Sequence, residues 1–480
     1  MLAHCGRPWF PAIGVRGPLP CLAMLLTAAA AVAAPALAAE VRVASVDELR
    51  AAIAAAAPGD KIIVADGAYD VGERIEISRA GAEGQPIEIA AQTVGGVEIK
   101  GAAGFTFRPG AAYVQLRGFK LTHAAGAVEL PVGTHHCRVT RNVFELQVGD
   151  RSTYVTVAGD DHEIDHNTFQ NKRTEGQMLF VVGPEAPAMA QRTWIHHNYF
   201  FNFENSRRNN SSALHIGHSA RSLTGAHSVV EYNLFVQTRG ENEGAICNKS
   251  GDNIYRFNTI GEGCTELSLR HGNRCHVYGN FLIGTTGGLR FFGDDHKIYS
   301  NYFERNRVAV QIGNGDGIVP PAKLTSHDRP DRVELSFNTL VNNRSNFSMG
   351  GRGRGLGATE LVVANNLVQG GGSAASIDGP LPDARWEGNI VWGTADGAGD
   401  MPESGFTAVD PQLQQGAGGV FRLQAGSPAI GKAAGSFAHV KVNVDNQPRG
   451  TALDVGADQF STESAVARML TPEDVGPDAP

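Results

Sequence analysis

From residue 142 onward an asparagine, any residue and a large apolar residue recur as a unit. The cases are Asn142-Val143-Phe144, Asn167-Thr168-Phe169, Asn198-Tyr199-Phe200, Asn233-Leu234-Phe235, Asn258-Thr259-Ile260, Asn301-Tyr302-Phe303 and Asn338-Thr339-Leu340. Asn280, Asn366 and Asn389 continue the series with looser matches, and the spacings run 25, 31, 35, 25, 22, 21, 37, 28 and 23. A base period near 22 with variable insertions belongs to a chain that stacks coils, not to one that collapses around a single core. Asparagine tolerates a left-handed bend, and stacked amides can bond from coil to coil. The apolar residue two positions later lies on the same strand face and fills the interior. The segments are short and rich in Val, Ile, Phe and Tyr, with no helical periodicity between them. The expected fold is all-β: a right-handed parallel β-helix, one solenoid domain over residues 40–460. A β-propeller would want blades of about 40–45 residues.

The flanks read differently. Arg7 and Arg16 precede an apolar run that ends in Ala36-Leu37-Ala38, so residues 1–39 read as a secretory signal cleaved near Ala38 or Ala39. No second apolar segment approaches the ~20 residues of a spanning helix, and the expectation is a periplasmic or secreted protein without a membrane partner. Ser45 opens SVDELRAAIAAAA with Glu48 three residues on, a capping box before an N-terminal helix. That helix would cover strand edges that otherwise invite aggregation. SPAIGKA (427–433) and DNQPRGTALDVGADQF (445–460) read as closing turns that stabilise the end of the solenoid. Residues 461–480 are polar and read as a disordered tail.

The formal net charge is −8, which argues against nonspecific nucleic-acid binding, so any anion site must be local. The long insertions carry NKRTEGQM (171–178), SRRNNSSALHIGHS (206–219) and NGDGIVPPAKLTSHDRPD (314–331). Per-repeat insertions gather on one face, often the binding face, and Lys172, Arg173, Arg207 and Arg208 would line a basic groove there. For any single one of these cations a solvated loop is the competing reading. Beyond the leader the cysteines are Cys137, Cys247, Cys264 and Cys275. Cys264 with Cys275 is a conceivable disulfide, and buried free thiols are the alternative.

The stretch Glu241–Cys275, ENEGAICNKSGDNIYRFNTIGEGCTELSLRHGNRC, concentrates the chemistry. Lys249 and Arg270 are 21 residues apart, one coil, and parallel strands lie about 4.8 Å apart. Two stacked cations repel, and a polyanionic substrate is what would favour them. His271 and Arg290 (in GGLRFFG, 20 residues after Arg270) extend the set as candidate substrate contacts, although His271 could equally point inward. Glu241 and Glu243 are two apart and face one way on a strand. Two such carboxylates need a cation, and calcium accepts oxygen ligands of this kind.

NKS followed by DN and then RHGN resembles polysaccharide lyase family 6, the alginate lyases and chondroitinase-B-type enzymes. The resemblance implies that Lys249 is the catalytic base and Arg270 the acid, and that Asn209, Glu241 and Glu243 bind calcium. It further implies an acidic polysaccharide substrate, alginate first and dermatan- or chondroitin-type glycosaminoglycan second, cleaved by β-elimination, with a monomer expected. His215 is taken as substrate-binding from its position in the motif, and Arg207 from the basic groove the insertions would form. The family usually places its two Glu seven and five residues before the Lys, whereas here they stand eight and six before it. Ser212 and His215 fall where the family more often has Glu and Arg. The competing readings are a β-helix hydrolase using Asp294 and Asp295, since two carboxylates can run an inverting hydrolysis, and a non-enzymatic binding solenoid.

Overall fold

The structure is a computed structural model that describes residues 38–149, 151–205, 211–240, 243–416, 418–461 and 468–480. The expected leader is thus described only at Ala38 and Ala39. Three sheets run the length of the molecule. The first has 14 strands, from Glu40–Val43 to Arg385–Glu387. The second has 10, from Val128–Leu130 to Ala375–Ile377. The third has 14, from Gly67–Val71 to Phe406–Ala408. In each sheet successive neighbours come from successive coils, and every pairing is parallel (for example Ile195↔Val230, Ile216↔Asn248 and Phe235↔Ile260). This is the right-handed parallel β-helix that the repeat period demanded.

The repeated asparagines form one continuous ladder at the bend between the first and third sheets. The Asn142 amide Nδ2 and backbone N–H both donate to Asn167 Oδ1 at 3.0 Å. The same pair of bonds passes to Asn198, Asn233, Asn258 and Asn280, and on through Asn301, Asn338 and Asn366 to Asn389. All ten side chains are buried, so the polar groups of each bend are satisfied from the next coil. Inside, Phe144, Phe169, Phe200 and Phe235 stack at 4.6–4.9 Å between ring centroids.

The left-handed bend falls one residue earlier than expected. Arg141, His166, His197, Tyr232, Phe257, Gly279, Ser300, Phe337, Asn365 and Gly388, each directly before a ladder asparagine, have φ between 50° and 68°. The asparagine does not adopt that conformation; its fixed amide holds the preceding residue in it, at a cost of about 1–2 kcal/mol for a non-glycine. None of these residues is β-branched. At Gly279 an added Cβ would also meet the Phe257 ring at 2.4 Å.

The helix Val46–Ala55 caps the first coils. Ser45 Oγ accepts from Glu48 N–H at 3.2 Å, while the Glu48 carboxylate accepts from Ala44 N–H. Leu49 and Ile53 are its buried residues. The closing segment packs along the flank: Phe281, Ile283, Tyr302 and Val341, on the outer face of the third sheet, pack against Val420, Val444 and Ala457. The tail corrects its expectation. Leu470 N–H donates to Thr259 Oγ1, and Arg141 donates to the carbonyls of Pro477 and Ala479, so residues 468–480 lie against the solenoid through bonds to their backbone. Among the described residues no helix is long and apolar enough to cross a membrane. Cys137, Cys247, Cys264 and Cys275 are all buried and free, so Cys264 and Cys275 do not pair.

The ladder makes a testable demand. Asn258→Ala removes the acceptor of two buried donors on Asn233 and the donor to Val230 O and Asn280 Oδ1. Each orphaned group costs about 1–3 kcal/mol. Urea unfolding is expected to show a loss of at least about 2 kcal/mol; a loss below about 0.5 kcal/mol contradicts the ladder's role.

Candidate active site

The second sheet presents one row of outward side chains from coil to coil. His215, Cys247, Ser268, Arg290 and Gln311 are register partners. Lys249 closes the strand Ile246–Lys249, one rung below Gly217. Its partner on the next coil is His271, not Arg270, because the register shifts between Asn248 and Lys249. Arg270 is the extra residue of a bulge, a device that re-aims a side chain. The expectation that Lys249 and Arg270 stack directly is corrected accordingly: they meet through a shared carboxylate.

That carboxylate is Glu243, of which 1% is exposed. Its Oε1 lies 2.7 Å from Lys249 Nζ and 3.3 Å from Arg270 Nη1. Its Oε2 has no hydrogen-bond partner among the described residues and lies 3.6 Å from His215 Nδ1. Two cations on one buried carboxylate balance the cost of desolvating it. Asn248, directly before the lysine, points inward and fixes the strand: it donates to Ser250 O and His271 O and accepts from Tyr255 Oη.

The other expected residues fall as follows. His215 is wholly buried behind Glu243, bonded to Ser212 Oγ at 3.2 Å, and is therefore no substrate contact; burial, with Lys249 next, holds it neutral, well below its ordinary pKa. His271 is 4% exposed, and burial followed by Lys249 pushes its pKa down to about 3. Arg290 stands on the same face, its guanidinium 2.7 Å from Glu266 Oε1 and bonded to Ser268 Oγ. Arg207, Asn209 and Glu241 lie outside the described residues, as does Arg208. Lys172 does not line a groove: its ammonium is buried against Thr174 Oγ1 and Glu175 O. Arg173 is exposed and paired with Glu204. Asp295 is held by Arg332 at 2.8 Å, while burial and then Asp328 raise the Asp294 pKa to about 6.

Several residues of this face escaped the sequence reading. Glu266 follows Glu243 by 23 residues, one coil, and that spacing was the available signal. His327, from the insertion 314–331, stacks on His271 at 5.9 Å, and Arg352 pairs with Asp316 of the same insertion. Arg290, Phe292, Gln311, Asn314, Ser348 and Arg352 line a cleft of about 290 Å³ beside the cluster. The long insertion therefore does border the functional face.

Of the three residues expected to bind calcium, Asn209 and Glu241 lie outside the described residues and only Glu243 is described. Calcium takes six to eight oxygen ligands; here one carboxylate oxygen already serves two cations, and the remaining described neighbours are an imidazole and the buried thiol of Cys247. A divalent ion at Glu243 would sit against the Lys249 and Arg270 charges.

The buried neutral histidines set an acid limit on the fold. Burial brings His123, His162 and His296 to about 4 and His271 to about 3, and it holds His215 well below its ordinary value. Unfolded histidine protonates near 6.5, so stability present above that pH is lost as pH falls toward 4, at about 1.4 kcal/mol per pH unit for each group. Asp294 and Asp445, both raised to about 6 mainly by burial, work in the opposite sense below that pH and offset part of the loss. The urea midpoint is expected to fall between pH 7 and pH 5; a midpoint that is unchanged or rises overturns the assignment of neutral buried imidazoles.

A family model described as chondroitinase B matches residues 43–369. No curated protein sequence matches significantly. Among solved structures, the PL6 family alginate lyase AlyGC superposes with a TM-score of 0.70 at 25% identity, covering 81% of this chain and 55% of that one. This chain thus spans little more than half of that enzyme's length. A mannuronic acid specific polysaccharide family 6 lyase from human gut microbiota superposes with a TM-score of 0.65 at 25% identity, covering 78% of this chain and 91% of that one. A PL6 alginate lyase in complex with a trisaccharide gives 0.65 at 20% identity, with 81% and 92% coverage, a likeness of fold.

Proposed function

Because this chain belongs to the chondroitinase B family, a group of polysaccharide lyases, we propose that it cleaves a uronate-containing polyanion by β-elimination, with alginate the first substrate. The observation that carries this reading is the convergence of Lys249 Nζ and Arg270 Nη1 on Glu243 Oε1 on the face bordered by the long insertion. The family similarity to alginate lyases supports the choice of polymer, with dermatan-type glycosaminoglycan second. The expected signal segment supports export, which places the enzyme where such polymers occur.

The chemistry follows from charge. The proton on carbon 5 of a uronate becomes acidic once the adjacent carboxylate is neutralised. Arg270, a planar fork suited to carboxylates, is the group placed to neutralise it, with Arg290 one coil on. Lys249 takes the carbon 5 proton as a neutral amine. Glu243, 2.7 Å from Nζ, fixes the position of the Lys249 amine. The electron pair left on carbon 5 forms the new double bond to carbon 4, the bond from carbon 4 to the glycosidic oxygen breaks, and that oxygen takes a proton from the Arg270 side. Each such acid–base contribution is worth about 10²–10⁴-fold. His215 lies behind Glu243, its Nδ1 3.6 Å from Oε2.

In the direct test, purified protein is mixed with alginate block polymers and with sulfated glycosaminoglycans and followed in the ultraviolet. Alginate is expected to yield a product that absorbs through its new double bond. New reducing ends without absorbance mean a hydrolase, and no product from any of these polymers overturns the enzymatic reading.

Side-chain neutralisation makes a second prediction. Dialysis against chelator is expected to leave turnover within about twofold of its starting value, a factor that corresponds to only about 0.4 kcal/mol, with no calcium found by elemental analysis. Activity lost in chelator and restored by calcium contradicts it.

A further inference from the structure

A second cleft, of about 370 Å³, opens on the outer face of the first sheet, away from the Lys249 cluster on the second. One wall is the row Glu231, Arg256, Tyr278 and Tyr299, register partners on successive coils. The other wall is the closing segment, with His439, Lys441 and Asn446. We propose that this cleft is a non-catalytic binding site for an acidic oligosaccharide, which holds the polymer while the second sheet cleaves it. The proposal rests on the uronate reading above.

Its walls carry the three kinds of group that such a ligand needs. The first is aromatic surface for the apolar faces of sugar rings. Half-buried Tyr278 and Tyr232 lie over the buried rings of Tyr299 and Phe257, stacked at 4.9 Å and 5.3 Å. Trp194, 43% exposed, stands on the same sheet face. Amphipathic aromatic side chains left at a surface are typical of contact sites. The second is positive charge for carboxylates. Lys441 is exposed and makes no ion pair among the described residues. Arg256 is held by Glu231 through Nε and by Tyr278 Oη through Nη1, and neither bond uses Nη2. The third is hydroxyl recognition, available from Asn446, whose amide donates to Tyr232 Oη.

The arrangement is built and not incidental. Glu231 accepts from Trp194 Nε1 at 2.8 Å as well as from Arg256, so one buried carboxylate orients both an exposed aromatic and the wall's guanidinium. His439 is fixed by Glu334 at 3.0 Å and meets the Tyr299 ring edge-on. From the coil of Trp194 to that of Tyr299 this face spans four coil steps, about 19 Å at ~4.8 Å per strand, enough for more than one sugar. In a chain of net charge −8, a cationic aromatic cleft favours a polyanion locally.

The test separates this site from the catalytic one. The Lys249→Ala chain, which leaves the polymer intact, is run in native gels with and without alginate, alone and carrying Lys441→Glu or Tyr278→Ala. Lys441 is exposed, so Lys441→Glu should fold as the parent does, and thermal unfolding checks this. Either added change is expected to weaken retardation by alginate at least threefold, while a neutral glucan retards none of the chains. Equal retardation of parent and Lys441→Glu overturns the proposal, as does a parent that alginate does not retard. The polymer assay with the wild-type chain reports on the reaction separately. Product formation with unchanged retardation removes the cleft alone, and weakened retardation without product leaves the cleft standing and removes the reaction.

Discussion

The side-chain amide that each bend receives from the next coil is the interaction on which this structure depends. A parallel solenoid must turn its chain sharply on every coil, and each turn leaves buried N–H and C=O groups that need partners. The asparagine ladder supplies them in one stack from Asn142 to Asn389. It also holds the residue before each asparagine in a left-handed conformation that Arg, His, Tyr and Phe seldom adopt. The local strain and its compensation are therefore one device, repeated. Because the ladder fixes where each coil begins, it fixes the register of the second sheet, and the second sheet carries the charges.

On that sheet a single departure from the regular register shapes the site. The bulge at Arg270 lets Lys249 face His271 across the ladder while Arg270 swings to the same carboxylate that Lys249 holds. A strictly periodic strand would have stacked two cations and repelled them. With Glu243 between, the charges are held close in a buried setting, where an approaching uronate carboxylate can compete for the guanidinium.

The repeats made the fold legible, because Asn-x-apolar at one-coil spacing has few other solutions. The motif around Lys249 and Arg270 made the site legible for a similar reason: residue type and spacing together are specific. What escaped depends on geometry that spacing does not encode. Counting 21 residues assumes equal coils, so the bulge was invisible, and with it the role of Glu243 as a shared partner. Lys172 reads as a surface cation until Thr174 and Glu175 fold back over its ammonium. The tail's polar composition hid an attachment made through its backbone carbonyls. His215 was placed by its position in a motif, and only the packing shows it behind Glu243 and not before the substrate.

The central claim is that Lys249 and Arg270 act as one unit gathered by Glu243. It is tested most directly by comparing the turnover of alginate by Lys249→Ala, Arg270→Ala and the double variant, each checked for native unfolding. The account predicts that each single change lowers kcat by at least about 10²-fold, and that the double loses little more than the worse single, as groups acting together do. Substantial turnover in Lys249→Ala, or losses that multiply fully in the double variant, would contradict it.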